Sequence, residues 1–172
     1  MMHRLLRLGL GVAVGMTATL AWPAQVSEEA SLKAAFIYRF AQFTQWPVSV
    51  KEFTYCTAGA QDLSDALRLL VARQHEFSQV RTVSLQQASA GNGCHLLVLS
   101  QMDRQEMLRW QQALSDAPVL IVADAPEALR SGAVIALTQE PNGLSFRINN
   151  TEAKRRGLVL SSQVLKLARE VR

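Results

Sequence analysis

The chain is poor in the residues from which catalytic and metal centres are built. It has three histidines and two cysteines in 172 residues, and with His3 at the very start only His75 and His95 remain for chemistry. There is no C-x-x-C, no H-E-x-x-H and no carboxylate-rich loop, so redox catalysis and metal binding have no support and no cofactor is expected. Cys94-His95 sets a thiol beside an imidazole. Neighbours on a strand project to opposite faces, however, so the two would not meet as nucleophile and base. A phosphate-cradling loop is missing as well: Gly91-Asn92-Gly93 precedes a strand, whereas such loops follow a strand and open a helix. These absences argue against an enzyme.

Long apolar runs are missing beyond the first residues. The chain opens with a short basic segment, His3-Arg4-Leu5-Leu6-Arg7, and is then uncharged from Leu8 to Trp22 before the small residue Ala24. That layout is expected of a secretory signal peptide over residues 1–24, cut after Ala21 or Ala24. A bilayer crossing needs about 20 apolar residues, and this run is shorter and carries Gly9, Gly11 and Gly15. Nothing later is long or apolar enough to span a membrane, so the expected product is exported, periplasmic and not stably inserted in the membrane. Charge of one sign is also scarce. The net charge of +4 falls to +2 once Arg4 and Arg7 leave with the leader, so nucleic-acid binding is not expected. Cys56 and Cys94 form an even pair in an exported domain, which favours a disulfide over two buried thiols.

Residues 25–172 show no linker and no repeat, and a single domain is expected. Ser27, followed by Glu28 and Glu29, starts a helix that carries Leu32, Phe36, Phe40 and Phe43 at helical spacing up to Pro47. A strand over 53–57 and a helix opened by Asp62-Leu63-Ser64-Asp65 come next, then a strand near 80–85. The uninterrupted apolar runs Leu96-Leu97-Val98-Leu99 and Val119-Leu120-Ile121-Val122 read as central strands buried on both faces. Between them lies a helix capped by Ser100 or Asp103, and Asp124-Ala125-Pro126-Glu127 resembles another helix start. The stretches 133–138 and 144–149 flank Glu140-Pro141-Asn142-Gly143 as a hairpin. A short helix at 151–156 ends at Gly157, and a terminal helix carries Val164, Leu165, Ala168 and Val171 on one face. The expected fold is α/β: one three-layer domain, a mostly parallel sheet with helices on both faces, plus a C-terminal β-hairpin and terminal helix.

Two groups of side chains stand out as candidates. Lys154, Arg155 and Arg156, with Arg147 and Asn149 on the polar side of the hairpin, form the most concentrated basic feature and suit docking of an anion or a protein. Tyr38 and Trp46 could line an aromatic groove for a small ligand. Asp103 and Asp124 stand at the ends of the strongest strands, where helix capping accounts for both.

The run Phe36-x-Tyr38-x-Phe40-Ala41-x-Phe43-x-x-Trp46-Pro47 resembles the opening signature of the YfiR family of periplasmic regulators. Tyr55-Cys56-Thr57-Ala58-Gly59, Cys94-His95-Leu96-Leu97-Val98-Leu99-Ser100, and Phe146-x-Ile148-Asn149 with Gly157-Leu158-x-Leu160-Ser161-Ser162 are similar to later blocks of that family, in the same order. The resemblance implies a repressor that binds the periplasmic domain of an inner-membrane diguanylate cyclase, lowering cyclic di-GMP signalling and biofilm formation. It also implies a homodimer, release through sequestration by an OmpA-like outer-membrane lipoprotein, and a role for the Cys56, Cys94 pair. Some members carry a second cysteine pair that this chain lacks. The alternative is a periplasmic small-ligand sensor or solute-binding domain acting on another membrane receptor.

Overall fold

A computed structural model describes residues 26–74 and 79–172. The leader and His75 lie outside the described residues. The elements run α1 (Glu28–Gln42), β1 (Thr44–Gln45), β2 (Glu52–Ala58), α2 (Gln61–Val71), β3 (Gln79–Ser84), β4 (Leu96–Leu99), α3 (Arg104–Ala113), β5 (Leu120–Ala123), β6 (Ile135–Glu140), β7 (Gly143–Ile148), α4 (Asn150–Arg155), β8 (Val159–Leu160), α5 (Ser162–Leu167) and β9 (Glu170–Val171). Two 3-10 turns, Ala88–Gly93 and Pro126–Ser131, stand after β3 and β5.

Seven strands form one sheet in the order β3-β2-β4-β5-β6-β7-β9. The first five are mutually parallel, β7 returns antiparallel to β6, and β9 adds parallel to β7. Residues of β4 and β5 are buried on both sides of the sheet, as their unbroken apolar runs demand. One face packs Phe53, Tyr55, Leu96, Val98, Leu120 and Val122 against α1 and α2. The other packs Cys56, Leu97, Leu99 and Ile121 against Met107, Trp110 and Leu114 of α3 and its end. The three-layer α/β expectation agrees with this arrangement. Gly59, at the end of β2, has φ +104°, and a Cβ there would fall 1.7 Å from the Ser100 carbonyl oxygen, so the close approach of β2 to β4 requires glycine.

Several local expectations change. α1 ends at Gln42, before Trp46, because Thr44 and Gln45 pair antiparallel with Leu160 and Val159 of β8. The terminal helix ends at Leu167, and Val171 joins β9 beside Ile148. Asp103 caps α3 by accepting the Glu106 N–H at 2.7 Å, whereas Ser100 Oγ accepts from Ala60 N–H at 3.0 Å. The Asp62 segment does not cap α2, whose N-cap is Ala60. Asp124 opens no α-helix: its carboxylate accepts from Gln101 N–H at 3.2 Å and pairs with Lys33 of α1 at 3.3 Å. The role assigned to it as a helix cap is thereby replaced by one in tying α1 to the ends of β4 and β5.

Candidate functional site

Phe36 and Phe40 of α1 and Phe43 at its C-cap follow at spacings of four and three residues, which places them along one stripe. The stripe lies against Phe146 of β7: the Phe40 and Phe146 rings meet edge-on with centroids 4.9 Å apart, and Phe36 stands 6.0 Å from Phe146. Val164 and Leu167 of α5 form the opposite wall, leaving an apolar groove of about 330 Å³ with Arg39 at its rim. α5 lasts only six residues, too short to cover the stripe. Leu167 therefore stays 73% exposed at the groove's edge, while Phe40 on its floor is 1% exposed. The groove offers apolar surface and one cation, a combination suited to docking rather than to proton or group transfer.

Tyr38 and Trp46 are not brought together in this groove. Tyr38 is buried in the core on another side of α1. Trp46 packs edge-on against Phe53 with centroids 5.0 Å apart and donates its indole N–H to the His95 carbonyl at 3.2 Å. Its outer edge lines a separate open hollow with Thr44, Gln45 and Val48. Helical spacing marked the Phe36, Phe40 and Phe43 stripe in the sequence, whereas the exposed wall at Leu167 carried no signal of its own.

The basic cluster divides. The Arg156 side chain is 1% exposed and pairs with Glu152 at 2.7 Å while donating to the Leu114 and Ala117 carbonyls at 2.7 and 3.2 Å. It is a buried clamp between α4 and the end of α3, so its expected place on a docking surface is corrected. Burial works against ionisation of Glu152, but hydrogen bonds from Arg155 and Arg156 outweigh it and hold the carboxyl below its ordinary range. Arg155 is half exposed and divides its guanidinium between Glu152 and the Ser115 carbonyl. Asn149 caps α4 by accepting the Glu152 N–H at 3.0 Å. Arg147 is partly exposed on β7, 3.7 Å from Glu170.

Cys56 and Cys94 are joined, with Sγ–Sγ 1.92 Å and Cα–Cα 5.8 Å. The bond lies in the core beneath α3, on the opposite side of the sheet from His95, whose ring stacks on Phe53. Among the described residues no three His, Cys, Asp or Glu side chains converge on one point.

Among solved structures, a conserved domain protein from Vibrio cholerae O1 biovar eltor str. N16961 superimposes with a TM-score of 0.60 at 12% identity, over 83% of this chain and 60% of that one. The ABC domain in complex with L-Trp from Streptococcus pneumonia gives a TM-score of 0.57 at 11% identity, over 84% of this chain and 60% of that one. The chain thus spans about three fifths of either structure, and at these identities the likeness is one of fold. No curated protein matches it. The profile of the YfiR/HmsC-like family matches residues 30–169, from the first turn of α1 to the residue before β9, and the chain belongs to that family.

Proposed function

We propose that this protein is an exported periplasmic regulator that represses an inner-membrane diguanylate cyclase by binding its periplasmic domain, lowering cyclic di-GMP signalling and biofilm formation. The observation that carries this reading is membership of the YfiR/HmsC-like family over almost the whole described chain. Residues 1–24 serve as the cleaved leader, and no described helix is long and apolar enough to cross a membrane. The contact surface is the groove between α1 and α5, where an apolar side chain of the cyclase domain inserts beside Leu167. Repression then follows if the regulator binds the inactive arrangement of the cyclase more tightly than the active one. A homodimer, and release by an OmpA-like lipoprotein, complete the proposal.

Deleting the gene should raise cellular cyclic di-GMP, and restoring the intact gene should return it to its former level. Unchanged cyclic di-GMP in the deletion strain would remove the proposed output. The groove's volume of about 330 Å³ also falls at the lower end of small-ligand sites. It therefore favours a second reading, a ligand sensor acting on another receptor. Saturable stabilisation by an aromatic or apolar metabolite, without any cyclase contact, would select it.

A further inference from the structure

On the other side of the sheet from the groove, three guanidinium groups gather from distant parts of the chain. Arg130 comes from the 3-10 turn after β5, Arg147 from β7 and Arg172 from the segment after β9. Together with Pro126, Glu127 and Leu129 they line a hollow of about 230 Å³. The alternation of β7 assigns the two sides: Phe146 turns to the groove and Arg147 to this hollow.

The cations are incompletely matched. Glu170 is shared, 3.7 Å from Arg147 and also paired with Arg172. Arg130 is exposed, and among the described residues it makes no ion pair; neither does Glu127. The backbone oxygen of Arg172 accepts from Asn150 and Thr151 N–H at 2.7 and 3.2 Å, so the first turn of α4 takes up that acceptor. What remains is a concave site in which three guanidinium groups face the carboxylates of Glu127 and Glu170, with the Arg130 guanidinium in no ion pair among the described residues. Guanidinium groups match the paired oxygens of carboxylate and phosphate, and bonds to such anions are the stronger kind. The hollow is smaller than the sites that take drug-sized ligands, roughly 300–1,000 Å³, which favours a compact anion.

We propose that this hollow binds a small multivalent anion, a phosphate or a short dicarboxylate, held by Arg130 and Arg147. The site is independent of the cyclase contact, since it lies on the other face and is read without a partner.

The test is calorimetric titration of the mature chain with inorganic phosphate and, separately, with succinate, at ionic strength held constant with sodium chloride. Saturable binding is expected, weakened about tenfold or more in Arg130→Gln and in Arg147→Gln, as befits loss of a charged hydrogen bond. It should be unchanged in Arg109→Gln, an exposed arginine of α3. Tighter binding of phosphate names the phosphoryl class, and tighter binding of succinate the dicarboxylate class; either supports the site. Because Arg130 is exposed and makes no ion pair among the described residues, its variant keeps the fold. Equal binding by Arg130→Gln and the parent chain would overturn the proposal, as would no saturation by either anion.

Discussion

The face of the sheet that carries α1 and α2 is filled with aromatic rings, Phe40, Phe53, Tyr55 and Phe146 among them, whereas the face beneath α3 holds smaller aliphatic side chains, Trp110 and the Cys56–Cys94 bond. The difference follows from what covers each side. Long helices over the first face give large rings enough surface to bury. Over the second, 3-10 turns after β3 and β5 stand where helices would otherwise pack. The covalent link there ties β2 to the residue that closes the first of those turns, just before β4. Cohesion on one side therefore comes from ring burial, and on the other partly from a cross-link that restricts the unfolded chain. The β7 strand joins the two regimes, with Phe146 in the groove and Arg147 in the basic hollow.

Four changes separate these contributions. Phe40→Ala should destabilise the protein by about 3–5 kcal/mol, because it empties a fully buried ring site between Phe36 and Phe146; urea unfolding reads the loss. Removing the cross-link with Cys56→Ala and Cys94→Ala together should cost about 3–4 kcal/mol, the value expected for closing a loop of this length. A cost under about 1 kcal/mol in the same assay would mean that packing alone sustains the second face. Arg156→Ala should cost about 3 kcal/mol by leaving Glu152 without its buried partner, whereas Arg155→Ala, half exposed, should cost only about 0.2–1 kcal/mol. Equal losses would show that the two neighbours are not divided as their burial implies.

The smallest effect concerns His95. Burial lowers its pKa, Glu52 opposing, and Nδ1 accepts the Thr54 N–H at 3.1 Å, so the folded protein favours the neutral ring. The unfolded chain gains a proton as pH falls through about 6.5. Stability from this group is thus complete above that pH and declines below it. His95→Asn, which keeps an acceptor near the position of Nδ1, should flatten the pH dependence of the unfolding midpoint between about pH 6.5 and 5.

The sheet was legible in the sequence because β4 and β5 are unbroken apolar runs and β7 alternates. What escaped it depended on partners remote in the chain. Thr44 and Gln45 leave the helical pattern only because β8 pairs with them, and Glu170 and Val171 extend only because β7 has an open edge. Arg155 and Arg156 are adjacent and chemically alike. One is buried because the carbonyls of Leu114 and Ala117, some 40 positions earlier, turn toward it. The groove was half visible: its aromatic stripe was written at helical spacing, but its opening comes from where α5 ends.

We propose that the periplasmic domain of a membrane diguanylate cyclase docks at the groove between α1 and α5. The most direct test is the dissociation constant of the periplasmic domain of an inner-membrane diguanylate cyclase from the same cell, for the parent chain and for Leu167→Glu. Leu167 is 73% exposed, so the substitution should change stability by no more than about 0.5 kcal/mol. Expected is measurable binding by the parent chain and an affinity at least about tenfold lower for Leu167→Glu, the loss expected when a charge replaces an apolar contact in a docked interface. Equal affinities, or no binding by the parent chain, would contradict the claim.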